Sequence, residues 1–192
     1  MSEKIKTRDK LLNAGYEEIY KHGYQGASVD AILLASAVTK GSMYHHFPSK
    51  KDLALAVIDE RIGPKILSLF NLESENEPFT NKMFAIIDFI GTVPYLLNYG
   101  CPLSKLITEM SPLDEDFKVR LTAIHEKVHK KVSDMIELAV ENRELNITNA
   151  SSFATFIIAT VWGNISLGED IITPQSYQNS LAHLKSYLLS LS

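Results

Sequence analysis

The sequence predicts an all-α protein of about nine helices, divided into a small three-helix domain at the N-terminus and a longer helical domain behind it. Three observations support this fold class. Apolar residues recur at helical spacing along the chain, and no segment alternates in the way that a strand does. Hydrophobic residues make up 45% of the 192 residues and charged residues 22%, which is typical of a globular protein with a buried core. Two short helices near the N-terminus are separated by only three residues, in the pattern of a helix-turn-helix.

The first four helices are predicted from their start and stop residues. A hydroxyl side chain just before a helix accepts a hydrogen bond from a free N–H of the first turn, and four residues are placed to do so: Thr7, Ser28, Thr39 and Ser49. The helix after Thr7 is expected to end at Gly23, and the helix after Ser28 to run to about Ala35. The helix after Ser49 continues beyond Val57 until Gly63-Pro64 kinks or stops it.

The second half of the chain is predicted to be helical as well. The polar stretch Glu73 to Pro78 predicts a loop. Helices are expected after it at about residues 79–98, 102–110, 114–143, 149–168 and 174–191. Pro102, Pro112 and Pro174 lie at or near the starts of these helices, where proline is tolerated.

Several protein classes are excluded by the composition. No run of about 18 apolar residues is present, so we expect no membrane-spanning helix. The charged N-terminus lacks the apolar core of a signal peptide. Cys101 is the single cysteine, which excludes an internal disulfide and fits a reducing cytoplasm. We interpret Cys101 as a small, partly buried apolar residue, with a redox-sensing thiol as the alternative.

Charge is unevenly distributed along the chain. The formal net charge is −4, but residues 1–52 sum to +2 and residues 53–192 to −6. A basic N-terminal domain on an acidic body suggests an anionic partner for the first domain. Lys40, Lys50 and Lys51 have no acidic residue beside them between Asp30 and Asp52. A solvated surface is the alternative interpretation of these charges.

The two short helices, joined by Ser36-Ala37-Val38, carry residues suited to nucleic acid. The second of them displays hydroxyl, lysine and imidazole groups at or near its N-terminus, on Thr39, Lys40, Ser42, Tyr44 and His45. Hydroxyls, backbone N–H groups and lysines contact phosphates, and the N-terminal residues of such a helix reach base edges. Gly41 lacks a side chain and so allows close approach, while Lys50 adds a cation at the start of the next helix.

Residues 8–55 resemble the N-terminal DNA-binding domain of TetR/AcrR-family transcriptional regulators. The resemblance includes a gapless run from Val38 to Leu53. It implies phosphate contacts from Ser28, Thr39, Tyr44, His45 and Lys50, and positions close to bases for Lys40, Gly41 and Ser42. Two features depart from the family pattern: Ala37 stands where a turn glycine is usual, and Leu33-Leu34 replace a small and polar pair.

The resemblance also implies that residues 1–53 bind DNA and that residues 54–192 bind an effector and form a dimer. Two apolar stripes suit the dimer interface: Phe153, Phe156, Ile157, Tyr177, Leu181, Leu184 and Leu188. A monomer could instead use either stripe as its own core. Large side chains are candidates for the effector pocket, although core packing accounts for them as well: Phe84, Phe89, Tyr95, Leu106, Met110, Phe117, Leu121, His125 and Trp162.

The segment His125-Glu126-Lys127-Val128-His129 matches the zinc motif H-E-x-x-H, which places two histidines on one helix face. Both histidines border the apolar stripe of their helix, whereas Glu126 lies about 140° away from it. Met135 occupies the position of the third histidine of metzincins. We interpret His125 and His129 as packing residues. A zinc-dependent hydrolase and a two-histidine site for a metal or an anionic effector are the alternatives.

The sequence therefore predicts a cytoplasmic, homodimeric transcriptional regulator without catalytic residues, metal or cofactor, and without a membrane partner. Its expected partners are a palindromic double-stranded operator and a small molecule that releases the protein from it. An effector-free DNA-binding protein or activator is the remaining alternative.

Overall fold

The computed structural model describes residues 6–71, 77–166 and 173–191. Within these ranges every regular element is helical, which confirms the predicted fold class. Three parts of the prediction lie outside the described residues: the charges before Lys6, residues 73–76 of the loop and residues 167–168 of a helix.

The described residues form eleven α-helical segments. The fourth and fifth are joined by a π-helical turn, and the sixth and seventh are separated by one residue. If each of these pairs is counted as one helix, the described residues form nine helices. Their bounds are α1 (Thr7–Gly26), α2 (Val29–Ser36), α3 (Lys40–His46), α4 (Lys50–Val57), α5 (Gly63–Ser68), α6 (Phe79–Thr92), α7 (Pro94–Tyr99), α8 (Pro102–Met110), α9 (Glu115–Glu141), α10 (Ala150–Ile165) and α11 (Pro174–Leu189). No single helix among the described residues has the length and apolar composition needed to cross a membrane, and one bent pair, Phe79–Thr92 with Pro94–Met110, passes that test by length and composition alone.

Contacts divide the chain into two compact units. Unit 1 comprises Met1–Lys65 and Lys105–Ala123, and unit 2 comprises Ile66–Ser104 and Ile124–Ser192. The end of α8 and the start of α9 thus pack with the N-terminal helices, although the sequence assigns them to the effector domain. The functional division at residue 53 stays a prediction.

The short helices of unit 1 are held by α1, which packs against α2, α3 and α4. Helices α2 and α3 have eight and seven residues, too few to be stable alone in water. Their apolar side chains are fully or almost fully buried together with those of α1 and α4: Leu11, Leu12, Ile32, Met43, Phe47 and Leu53. Each such side chain stabilises the unit by about 1.5–3 kcal/mol relative to an exposed one.

Three of the predicted helix caps are confirmed. Ser28, Thr39 and Ser49 each accept a hydrogen bond from the backbone N–H three residues later, at 3.3, 3.3 and 3.1 Å. The fourth is wrong, because α1 begins with Thr7 inside the helix. Lys6 is the capping position there and makes no side-chain hydrogen bond to the first turn.

Helix α1 is kinked at Gly23, where the sequence predicts its end. Gly23 has φ 73° and ψ 178°, a region of backbone space that is essentially restricted to glycine. One further turn follows, and the N–H of Ala27 bonds to the carbonyl oxygen of Gly23 at 3.2 Å. The glycine therefore changes the direction of the chain just before α2.

The sequence predicts that the helix kinks or stops at Gly63-Pro64, and the stop does not occur. Residues Ile58–Ile62 form a π-helical turn, in which the N–H of Gly63 bonds to the carbonyl oxygen of Ile58, and α5 follows directly. Pro64 has no N–H for the carbonyl oxygen of Glu60 four residues earlier. That oxygen accepts a hydrogen bond from Nη1 of Arg61 at 3.0 Å instead. The wider turn and the guanidinium group together allow the helix to pass a proline.

Unit 2 is built on α6, α10 and α11, with α7 packed against α6 and α10. Tyr177 is fully buried, and its hydroxyl donates to the carbonyl oxygen of Ile87 at 3.0 Å. Helices α6 and α7 are predicted as one helix over 79–98, but Val93 is extended, with φ −96° and ψ 99°. Pro94 explains the break, because proline disfavours helical backbone in the residue before it.

The predicted dimer stripe of α11 is core of unit 2. Its four side chains, Tyr177, Leu181, Leu184 and Leu188, are at most 4% exposed, and α11 packs against α6 and α10 of the same protomer. Phe153 and Ile157 are also buried, whereas Phe156 is 45% exposed. Of the seven residues predicted for the interface, only Phe156 thus has a largely exposed side chain.

Replacing Ala37 with glycine is expected to stabilise unit 1 by about 1 kcal/mol. Ala37 ends α2 in the left-handed region, with φ 52° and ψ 39°, where a Cβ is strained. Ala31→Gly, inside α2, is the matched control and is expected to destabilise by about the same amount. Urea unfolding of both variants measures this, and a loss of stability in Ala37→Gly would contradict the strain.

Candidate nucleic-acid interface

The two faces of α3 have opposite character. Met43 and Phe47, the residue that ends α3, are 0% and 3% exposed and anchor the helix in unit 1. Lys40, Tyr44 and His45 lie among the exposed residues of the helix. The fold therefore fixes α3 by its buried face and leaves a polar face open.

Neither the backbone conformation nor the packing of unit 1 requires a glycine at position 41. A Cβ built on it meets no atom within 4 Å, and its φ is outside the left-handed region. Glycine costs a helix about 0.5–1 kcal/mol relative to alanine. The contacts of Gly41 within unit 1 do not account for this cost.

Of the remaining predicted contact residues, Thr39 and Ser28 are exposed and cap α3 and α2, while Ser42 is half-buried in the first turn of α3. The N–H of Ser28 donates to Oε1 of Glu18 at 3.0 Å, which fixes the residue at the start of α2. The hydroxyl groups of Ser28 and Thr39 accept the capping bonds and keep their own hydrogen for a further acceptor.

Lys50 lies at the start of α4 in a defined position. Its Nζ donates to the carbonyl oxygen of Gln25 at 3.3 Å and stands 4.7 Å from the centre of the Tyr24 ring. An ammonium group has three N–H donors, so this bond does not use all of its donor capacity. The Tyr24 ring packs in turn on Phe117, with the ring centres 4.7 Å apart.

Two other basic residues of the N-terminal region are neutralised inside unit 1. Arg8 makes a two-pronged pair with Glu60 at 2.6 and 2.5 Å, which raises the pKa of Arg8 and lowers that of Glu60. Lys51 bridges Asp114 and Asp116 at 2.7 Å each, and these bonds raise its pKa. The positive charge beside α3 therefore comes from Lys40 and Lys50 rather than from Lys51.

Sequence reasoning missed two charged residues of α8. Lys105 and Glu109 both bond to the backbone of α1 around its kink. The sequence shows that these two opposite charges are four residues apart and therefore lie on one face of the helix. It does not show which part of the chain that face contacts.

The residues predicted for an effector pocket are divided between the units. Leu106, Met110, Phe117 and Leu121 are buried in unit 1 and at most 5% exposed. In unit 2, Phe84 lies under Nζ of Lys185 at 5.3 Å, Phe89 is 41% exposed, and Tyr95 packs on Tyr99 at 4.9 Å. His125 of α9 and Trp162 of α10 contact each other in an edge-to-face geometry, with the ring centres 5.5 Å apart. The clefts described in the structure are lined by other residues, including one of about 240 Å³ beside Phe79 and Lys82.

His125 and His129 do not form a metal site with a third residue of the described chain, because no group of three His, Cys, Asp or Glu side chains there is placed to hold an ion. The ring of His129 is already engaged. Its Nε2 lies 3.0 Å from the carbonyl oxygen of Ser151 and 3.1 Å from the hydroxyl of Thr155. These contacts give the zinc-hydrolase alternative no support.

The emission of Trp162, the one tryptophan of the sequence, is expected to titrate with His125 at a midpoint below pH 6.5. Burial lowers the pKa of His125, and the neighbouring His129 lowers it further. The folded protein therefore binds this proton less readily than the unfolded chain, so acidification through pH 6.5 costs stability. His125→Asn is the control and should remove the titration. A midpoint above pH 6.5 would contradict the burial.

Cys101 lies at the start of α8 and is 5% exposed. Burial raises the pKa of its thiol to about 11, so the thiol is protonated at neutral pH. Because the thiolate is the reactive form, this environment favours the interpretation of Cys101 as an apolar packing residue.

A helix-turn-helix with one buried face and one open polar face, among described elements that are all helical, is the arrangement of a DNA-binding regulator. The sequence model of "Bacterial regulatory proteins, tetR family" matches residues 11–57, and that of "Tetracyclin repressor-like, C-terminal domain" matches residues 85–183. The chain belongs to the TetR family of transcriptional regulators.

Individual relatives agree with this assignment over most of the chain. An uncharacterised HTH-type transcriptional regulator from Lactococcus lactis is 33% identical over 165 residues, which is 84% of this chain and 82% of the relative. The transcriptional repressor NemR of Escherichia coli K12 is 24% identical over 188 residues, 95% and 94% of the two chains. A TetR regulator from Chloroflexus aurantiacus has the same fold, with a TM-score of 0.86 at 23% identity over 96% and 95% of the two chains.

Proposed function

We propose that this protein is a homodimeric repressor that reads a palindromic operator with α3 and leaves it when a small molecule binds. The observation that carries the proposal is the open face of α3. No contact within the protomer requires a glycine at position 41, and the exposed Lys40 lies next to it. Ser28, Thr39, Tyr44, His45 and Lys50 are the proposed phosphate contacts, and Lys40, Gly41 and Ser42 lie closest to the bases. Such a protein acts in the cytoplasm, where its operator is.

A dimer is proposed because one reading helix of seven residues offers few contacts. Two such helices about 34–36 Å apart reach successive major grooves of a palindrome. The surface that supports this is aromatic: Phe156 and Tyr187 are 45% and 46% exposed, with their rings 5.9 Å apart in an edge-to-face geometry. Leu189 of α11 adds a third exposed apolar side chain.

Gly163 supports the same interface. It lies inside α10, one turn beyond Thr160 and two beyond Phe156, and a Cβ built on it meets no atom within 4 Å. Glycine there costs the helix about 1 kcal/mol relative to alanine without any benefit inside the protomer. A second protomer that packs closely on α10 accounts for the absence of a side chain.

The effector is proposed to bind in unit 2, where the half-buried pair His125 and Trp162 joins α9 to α10. A ligand shifts operator affinity only by the difference of its affinities for the two conformations. Emission of Trp162 reports binding directly, and the expected result is that a releasing ligand changes it. Derepression in a strain lacking the protein distinguishes a repressor from an activator.

Binding of the purified protein to the DNA that flanks its own gene tests the proposal. With Lys40 and Lys50 from two protomers contacting phosphates, log K should fall against log salt with a slope of about −3.6. Lys40→Ala should weaken binding and reduce that slope, whereas Lys127→Ala, an exposed lysine of α9, should not. Absence of specific binding at low salt would contradict the proposal.

A further inference from the structure

The end of α8 holds the kink of α1 through two opposite charges. Nζ of Lys105 donates to the carbonyl oxygens of Tyr20 and Lys21 at 3.2 and 3.1 Å. The carboxylate of Glu109 accepts from the N–H groups of Tyr24 and Gln25, one on each oxygen, at 2.9 and 2.8 Å. Lys105 thus binds the last carbonyls before the kink, and Glu109 binds the first amides after it.

This arrangement follows from the backbone of α1. The kink at Gly23 interrupts the regular backbone of α1: the N–H groups of Tyr24 and Gln25, after the kink, bond to Glu109, and the carbonyl oxygens of Tyr20 and Lys21, before it, accept from Lys105. The carbonyl end before the kink carries a partial negative charge and favours a cation such as Lys105. The amide end after the kink carries a partial positive charge and favours an anion such as Glu109. Gly23 also makes room for the carboxylate, since a Cβ there would stand 2.6 Å from Oε2 of Glu109.

The segment that Glu109 binds positions two proposed phosphate contacts. The carbonyl oxygen of Gln25 accepts from Lys50, and the Tyr24 ring lies beneath the same ammonium group. Ser28 follows three residues after Gln25 as the cap of α2. Glu109 touches neither Lys50 nor Ser28, but it fixes the backbone on which the position of Lys50 depends.

We propose that Glu109 is a positioning residue for operator binding: its two-pronged bond to Tyr24 and Gln25 sets the place of the Lys50 ammonium group for a phosphate. The proposal rests on the proposed DNA contacts of the preceding section. Glutamine at position 109 can accept only one of the two bonds and turns a donor amide toward the other N–H. The kink then loses its fixed geometry while the charge pattern of the DNA-facing side chains is unchanged.

A double-mutant cycle tests this role. Glu109→Gln is expected to weaken operator binding about tenfold and to lower the salt slope by about 1.8, the share of two Lys50 side chains in a dimer. Lys50→Ala should cause little further loss of operator affinity in the Glu109→Gln background. Lys40→Ala, on α3, should cost the same in both backgrounds.

A purely structural role predicts a different pattern. Glu109→Gln would then lower the melting temperature but leave affinity and salt slope unchanged at temperatures where the variant is folded, and Lys50→Ala would cost its full amount. Either result overturns the proposal. Arg61→Gln, which removes hydrogen bonds of unit 1 to Asp9 and Asn13, is the control for instability alone.

Two further outcomes are distinguishable. If Glu109→Gln does not fold, Lys105→Met provides a second test, because it loosens the same kink from the carbonyl side and should also lower the salt slope. If the unmodified protein binds no operator, the proposed function fails. If it binds and the cycle with Lys50 is additive, only the role of Glu109 fails.

Discussion

Replacing Phe156 with glutamate is expected to leave the protomer folded, to separate the proposed dimer, and to weaken operator binding by about a hundredfold or more. Phe156 is the most exposed of the residues that the sequence predicts for the interface, and it stacks on Phe153 with the ring centres 5.9 Å apart. A carboxylate in the middle of a dimer interface is buried without a partner, which is strongly unfavourable. In the separated protomer it meets water instead, so folding is affected little.

The loss of affinity follows from the loss of the second reading helix. A monomer keeps the contacts of one α3 helix and gives up those of the other, together with half of the phosphate contacts. Sedimentation equilibrium and operator titration measure the two effects on the same sample. Both should respond together to dilution in the native protein.

Leu138→Glu is the matched control for Phe156→Glu. Leu138 is 50% exposed on α9 and does not belong to the aromatic surface of α10 and α11. The same charge added there should leave mass and operator affinity unchanged. A dimeric Phe156→Glu variant would place the interface elsewhere on the protein.

Gly23→Ala is the substitution with the largest expected effect on stability, a loss of about 2–4 kcal/mol. Two causes add. The backbone of Gly23 lies in a region that alanine avoids, and the new Cβ would stand 2.6 Å from Oε2 and 3.0 Å from Cδ of Glu109. Urea unfolding measures the loss, and operator binding should fall with it because Lys50 depends on the same kink.

Gly26→Ala provides the comparison within the same helix. Its Cβ would make an ordinary contact of 3.4 Å with the side chain of His22, and its φ is outside the left-handed region. Alanine there should stabilise by about 0.4–1 kcal/mol because it restricts the unfolded chain. Equal effects of the two substitutions would refute the special role of position 23.

Local signals in the sequence were sufficient for most helix boundaries and for the reading helix. A serine or threonine cap depends only on the next three residues, so Ser28, Thr39 and Ser49 could be predicted from the chain alone. Thr7 failed because the same residue type is tolerated inside a first turn. The helix does not stop at Gly63-Pro64 because the π-helical turn and Arg61 satisfy the backbone in a way that a proline rule does not include.

Periodicity could not decide which surface covers an apolar stripe. The stripe of Tyr177 and Leu181 has the spacing of a helix contact, but the helices that α11 packs against are α6 and α10 of the same protomer. The carboxylate of Glu109 bonds to amides 84 and 85 residues earlier in the chain, and no local pattern indicates such a pairing. The same holds for the four pocket candidates that belong to the core of unit 1.

The most direct test of DNA reading by α3 is the operator affinity of Gly41→Leu. The side chain has open space in the protein, and leucine is a better helix former than glycine, so the melting temperature should be equal or higher. If α3 lies against DNA at Gly41, affinity should fall by more than about tenfold, or ~1.4 kcal/mol. A folded, dimeric Gly41→Leu variant that binds the operator as tightly as the native protein would contradict the account.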